Sequence, residues 1–437
     1  MNHLAIELNS ILERTVAGRL LSNLGRRFYF PRGIIAQSAE AKKSAYTADA
    51  TIGMACSGGT PLIFSVIAEN MPGLSPSEAV AYAPTAGVEK ARTAWKESIL
   101  QKNPSLGKES ISLPVVVPGL TAGLSYTADL FVSKGGRVLA SDPCWDNYEL
   151  IFRVRRGAEL AGIPFFGDPA GGGPGSGLDM DAIGRAMTQA AASGSVRIIF
   201  NFPNNPSGYS PTNAEAGALA DLVRGIAEGG ADVLVICDDA YFGLFYEEDV
   251  IRESLFVRFA SLHEKVLAVK IDGPIKEDYT WGLRTGFLTF GSKGLGGAHY
   301  DALIRKLTGA IRSSVSSSNT PAQFLMLKAM EDSRTPAEKE RYRNLMQSRY
   351  ARVKAIAGEN SGHPVLSPLP FNSGYFMSFF CKGISAETLR RRLLSEHGIG
   401  TIALGERYLR IAFSSIDEEK IPGVFKTIYS AAEKLSK

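Results

Sequence analysis

The stretch Val266-Leu267-Ala268-Val269-Lys270-Ile271-Asp272-Gly273-Pro274-Ile275-Lys276 decides how the rest of the chain is read. Its opening run, Val266–Ile271, is apolar apart from one lysine and has a length suited to a buried strand, and Asp272-Gly273-Pro274 breaks it. After Gly282-Leu283-Arg284-Thr285 a second short apolar run follows, Gly286–Phe290. Working outward, Val233–Cys237, Val196–Asn201, Arg137–Ala140 and Ser112–Val117 have the same character, and helical stretches separate them. Short β-rich runs alternating with helices specify a largely parallel sheet covered on both faces, so the fold class is α/β.

At 437 residues the chain exceeds what one hydrophobic core usually fills. Residues 1–65 read as an arm, with a polar amphipathic stretch Ala5–Leu21, plus the start of a small domain. Residues 66–318 form the large α/β domain. Residues 319–437 form a smaller α+β domain, with helical periodicity over Thr320–Ala357 and strands at Tyr375–Phe380 and Tyr408–Phe413. The glycine-rich run Asp168–Gly177 lacks the Gly-Lys-Ser/Thr ending of a phosphate loop, and Pro174 removes a donor, so it reads as a surface loop.

Composition narrows the function classes. The net charge of +4 is small for this length, and its lysines and arginines are scattered among the acids, which argues against nucleic acid as a partner. No apolar run approaches bilayer length, and Met1-Asn2-His3-Leu4 lacks the layout of a secretory signal. Cys56, Cys144, Cys237 and Cys381 form no CxxC pair, so a reduced, cytoplasmic setting is expected. The five histidines are dispersed without a ligand spacing, and no metal is expected.

Three segments carry chemistry. Asn201-Phe202-Pro203-Asn204-Asn205-Pro206-Ser207-Gly208 follows an apolar strand directly, at the sheet edge where α/β folds bind ligands, although an ordinary loop has the same composition. Val233–Cys237 delivers Asp238-Asp239-Ala240-Tyr241 to that edge. The opening stretch delivers Lys276, with Arg284 eight residues beyond it.

Taken together and in order, these segments resemble the fold-type I pyridoxal-phosphate (PLP) enzymes, the aspartate-aminotransferase-like family. Its signatures are NPxNPTG, DxAYxxF and a lysine followed eight positions later by an arginine in a GxR turn. The resemblance implies that Lys276 holds the cofactor as an imine and shuttles the substrate proton, a task that needs a lysine of lowered pKa. It implies that Asp238 faces the pyridine nitrogen, that Tyr241 and Asn205 tune the ring hydroxyl and that Arg284 binds the phosphate. Weaker matches extend it. Pro118-Gly119-Leu120-Thr121 opens a helix whose amides, at Leu120 and Thr121, suit a phosphate. Trp145 in Asp142-Pro143-Cys144-Trp145 matches a ring that stacks on the cofactor. Tyr82 matches a tyrosine that reaches the neighbouring subunit's phosphate, which implies a homodimer.

Arg410, inside the apolar run Tyr408–Phe413, is costly unless an anion meets it, and the family places there the clamp for the substrate α-carboxylate. Gly59 resembles a glycine lining the same carboxylate site. The chain departs from the pattern at Gly273, where relatives often carry a phosphate-binding serine. Glu277 and Asp278 directly after Lys276 are unusual; tuning its proton affinity, binding a substrate amine and facing solvent are all open to them. Lys270 lies fourteen residues before Arg284, so the spacing selects Lys276. The reading is a PLP-dependent aminotransferase acting on an amino acid and a 2-keto acid. A lyase or decarboxylase on the same fold is the alternative, and a non-catalytic sensor a more remote one.

Overall fold

A computed structural model describes residues 1–3, 6–7, 10, 34–51, 53–58, 60–70, 73–107, 111–167 and 176–436. Most of the amphipathic stretch anticipated at Ala5–Leu21 and most of the glycine-rich run, residues 168–175, lie outside the described residues, as does Gly59.

The central sheet has seven strands: β1 (Val115–Val117), β2 (Arg137–Ser141), β3 (Glu159–Ile163), β4 (Ser195–Asn201), β5 (Asp232–Asp238), β6 (Val266–Asp272) and β7 (Gly286–Gly291). Their order is β1-β7-β6-β5-β4-β2-β3. All neighbours are parallel except β7, which runs antiparallel to both β6 and β1. The run expected from Ser112 begins only at Val115, and β3, which the apolar pattern did not suggest, lies at the sheet edge.

Successive residues of these strands feed cores on opposite faces. Ile198 and Phe200 pack with Trp95 and Ile99 of helix α1 (Glu89–Lys102), whereas Ile199 packs with Leu124 and Ala128 of helix α2 (Leu120–Phe131). Because both faces are covered, the interior strands β4, β5 and β6 are nearly continuous apolar runs rather than alternating ones. Register then aligns their ends: Asn201 sits opposite Asp238, and Asp238 opposite Ile271. The segments leaving β4, β5 and β6 therefore emerge side by side.

The periodicity expected over Thr320–Ala357 is two helices, α3 (Thr320–Glu331) and α4 (Thr335–Glu359). Each opens with Thr-Pro, and a proline is tolerated at the start of a helix but not inside one, so Pro336 forces the break. A four-stranded antiparallel sheet follows, β8 (Leu366–Pro368), β9 (Phe376–Cys381), β10 (Ile402–Leu404) and β11 (Tyr408–Ala412), ordered β8-β9-β11-β10. Its apolar face shares a core with Ala50, Phe64 and Val66 from the other end of the sequence. Among the described residues no helix is long and apolar enough to cross a membrane.

Candidate active site

At the aligned strand ends a cavity of about 190 Å³ is lined by Leu120, Thr121, Trp145, Asn205, Asp238, Tyr241, Lys276 and Arg284, together with Leu124, Asn201, Ala240 and Ile275. Segments spread over 165 residues of sequence thus converge on one small volume. Not all of them come from loops after strands. Asp238 is the last residue of β5, and Arg284 precedes β7.

Asp238 is buried, and Tyr148 donates to its Oδ2 at 2.6 Å. Its Oδ1 has no hydrogen-bond partner among the described residues. Burial pushes the carboxyl up to about 6, against the pull of the Tyr148 hydroxyl and of Lys276. An oriented carboxylate with one free oxygen suits a cationic or N–H-bearing group entering the cavity.

Lys276 rises from a turn after β6, with its Nζ 5.1 Å from the centre of the Tyr241 ring. Burial lowers its proton affinity to about 8; Asp238 opposes that and Arg284 adds to it. The amine is therefore partly neutral near physiological pH, the condition for a nucleophile. Lys270 is quite different. It is 1% exposed and paired with Asp239 and, at 3.2 Å, with Asp272. Burial opposes its charge, but the two carboxylates outweigh that and raise its proton affinity.

Just before the lining residues Leu120 and Thr121, Gly119 caps α2 with φ +86, a conformation that glycine adopts readily. A Cβ on Gly119 would lie 2.5 Å from Arg284 Nη2, so only a glycine lets that guanidinium lie against the helix start. The first amides of a helix have no carbonyl one turn back to bond, and here they belong to Leu120 and Thr121. Arg284 itself adopts φ 53, and its Nη1 donates to the Trp281 carbonyl at 3.3 Å. Amides, helix dipole and guanidinium make a cradle for an oxyanion. No serine could serve at position 273. A Cβ there would lie 2.7 Å from the Thr285 carbonyl oxygen and 3.2 Å from Leu120.

Arg410 lies beyond the cavity on β11 and is 2% exposed. It donates to Asn205 Oδ1 at 2.9 Å and to the Thr51 carbonyl at 3.1 Å, and it lies 4.3 Å from the Phe376 ring centre. Its Nε is buried without a partner among the described residues. The same Asn205 is fixed through its backbone N–H, which donates to Asn201 Oδ1 at 2.8 Å. Tyr82 is not part of this cavity; it is 92% exposed on the surface. Tyr148 and Asn201, which the motifs did not single out, orient Asp238 and Asn205. Tyr148 lies only three residues beyond Trp145, but nothing local reveals a bond to a carboxylate ninety positions away.

The residues fit a phosphorylated pyridoxal group on these observations: one cavity is lined by a carboxylate with a free oxygen, by a glycine-relieved oxyanion cradle and by a depressed lysine whose charge responds to both.

Comparison with known proteins gives the same direction. The family described as aminotransferase class I and II matches residues 56–428. No curated protein matches the sequence. Among solved structures, an aminotransferase from Anaerococcus prevotii is 21% identical with a TM-score of 0.81, covering 94% of this chain and 97% of that one. A single mutant of Thermus thermophilus aspartate aminotransferase is 21% identical with a TM-score of 0.71, covering 92% and 97%. An aromatic aminotransferase from Pyrococcus horikoshii is 18% identical with a TM-score of 0.70, covering 91% and 99%. At such identities these structures establish a shared fold, and the family match extends over most of the chain. The chain belongs to the class I and II aminotransferases, a family of transferase enzymes that generally depend on PLP.

Proposed function

We propose that the chain is a PLP-dependent aminotransferase that moves an amino group between an amino acid and a 2-keto acid, with Lys276 as its cofactor lysine. The observation that carries this is the cavity in which a lysine lowered to about 8 is flanked by a carboxylate and a guanidinium. Arg284 and the amides of Leu120 and Thr121 would hold the phosphate, Trp145 would cover the ring, and Asp238 would meet the pyridine nitrogen. When bound, the cofactor supplies an electron sink for the carbanion formed at the substrate Cα.

The protein's own work is binding and proton transfer. Arg410 receives the substrate carboxylate. Its buried guanidinium gains an anion there, and its orientation is set by Asn205 and Thr51. With the carboxylate clamped there, Lys276 would be the base for the substrate Cα–H, its neutral Nζ holding the proton taken from that carbon. Tyr241, whose hydroxyl is held protonated by burial, would donate a hydrogen bond to the bound cofactor, and Asn205 would add its amide. The unpaired state of all four cysteines supports a cytoplasmic setting, and the exposure of Tyr82 supports a homodimer in which it reaches the partner's cavity.

A screen of amino acids against the PLP-loaded protein tests the reaction. Transamination converts the visible band to that of the cofactor's amine form, and a 2-keto acid then restores it. Release of ammonia or carbon dioxide with no need for a keto acid would sink the reading in favour of lyase or decarboxylase chemistry.

A further inference from the structure

The turn that carries Lys276 is fastened by its next residue. Lys102 Nζ, from α1, lies 2.7 Å from Glu277 Oε2, and Lys339 Nζ, from α4, lies 2.7 Å from both Glu277 Oε1 and Asp278 Oδ1. The Glu277 side chain is 12% exposed. Burial alone would raise its carboxyl, but the two lysines hold it down at about 2. Gly243, with φ +89, makes room for it, since a Cβ there would lie 2.6 Å from Oε1. The turn is closed on itself as well. The Asp278 N–H donates to the Pro274 carbonyl at 3.2 Å, the Thr280 N–H to the Ile275 carbonyl at 3.0 Å, and Tyr375 Oη to the Lys276 carbonyl at 2.8 Å.

The two lysines belong to separate cores. Trp95 and Ile99 of α1 pack against the large sheet, whereas Tyr342 and Met346 of α4 pack in the core of the C-terminal sheet. Two acids and two lysines balance in charge, so the network adds little net field at the neighbouring amine. Both Glu277 oxygens are committed to these partners, which leaves neither for a substrate amine.

The geometry points to Glu277 as a positioning residue for Lys276, joining α1 to α4 through Lys102 and Lys339 so that the lysine-bearing turn is held at the cavity by both cores. This rests on the reading of Lys276 as the cofactor lysine. It gives the unusual Lys-Glu-Asp sequence a mechanical role.

The test compares the wild type with Glu277→Gln and Lys339→Met. Lys339 is 31% exposed, so the second variant keeps the test alive if the first fails to fold. Each apoprotein is mixed with pyridoxal phosphate, the growth of the borohydride-bleachable visible band is timed, and hydrogen exchange of residues 273–280 is followed without cofactor. Both variants are expected to exchange faster in that segment, and both to load the cofactor about tenfold more slowly. The pH midpoint of the band moves in opposite directions, down in Glu277→Gln and up in Lys339→Met, by about one pH unit. Unchanged exchange in both variants overturns the proposal. So do loading rates that split with the sign of the charge removed, because that is a field effect without positioning. If the wild type forms no band, the cofactor reading fails, and exchange alone decides the role of Glu277: faster in both variants supports it, unchanged refutes it.

Discussion

Lys270 and Lys276 stand six residues apart, both withdrawn from water, and end in opposite states. Lys270 lies among Asp239, Asp272 and the Phe242 ring, with Ser254 and Trp95 completing the hydrogen bonds of the two carboxylates. It is locked as a cation. Lys276 faces a cavity where the pull of Asp238 is opposed by Arg284, and burial prevails. Burial alone does not make a reactive lysine; the balance of counter-charge around it does.

The comparison breaks most sharply under substitution. Lys276→Ala is expected to abolish the borohydride-reducible band and to lower amino-transfer activity by about a thousandfold or more, with the melting temperature unchanged or higher, as read by absorption and thermal melts. Lys270→Met should do the reverse. It leaves two carboxylates buried with no counter-charge, which costs about 3–5 kcal/mol in denaturant unfolding, while the folded fraction keeps the band. Asp238→Asn removes the charge that faces Lys276 and is expected to lower the turnover rate about a hundredfold in steady-state assays. Tyr148→Phe should cost less, about fivefold, because it deletes only one hydrogen bond to that carboxylate.

The smallest effect concerns pH. Lys276 has its folded value depressed to about 8 from 10.5, so the unfolded chain holds more protons between those values. The stability of the cofactor-free protein therefore rises with pH over that window, and denaturant melts of Lys276→Ala should lose that part of the rise. Lys270, with its value raised, contributes fully below 10.5 and loses its contribution only as pH climbs through the higher folded value.

The parts of this picture that sequence could show are those with local signatures. The interior strands β4, β5 and β6 were legible because burial on both faces makes each an unbroken apolar run. The edge strand β3 was not, since Glu159-Leu160-Ala161-Gly162-Ile163 is partly exposed and includes a glycine. In the C-terminal part β9 and β11 were visible, whereas Leu366–Pro368 and Ile402–Leu404 are too short to carry a period. The cavity residues Asp238, Tyr241, Lys276 and Arg284 could be singled out because their three segments, in order, resemble the family's motifs. Tyr148 and the pairing of Glu277 with Lys102 and Lys339 could not, because each is a contact between distant segments of which only one end lies near a motif; Asn201 stood inside a quoted motif, but its bonds to the Asn205 N–H and the Asp238 carbonyl appear only in the fold. Gly273 reads as a missing serine in sequence. In the fold it is a position where the Thr285 carbonyl leaves no room for a side chain.

The difference between the two lysines can be read in a single measurement. The protein is loaded with pyridoxal phosphate, reduced with borohydride, digested and mapped by peptide mass. The phosphopyridoxyl mass is expected on Lys276, with Lys270 unmodified. Label on Lys270, or a loaded protein with no label on Lys276, would contradict it.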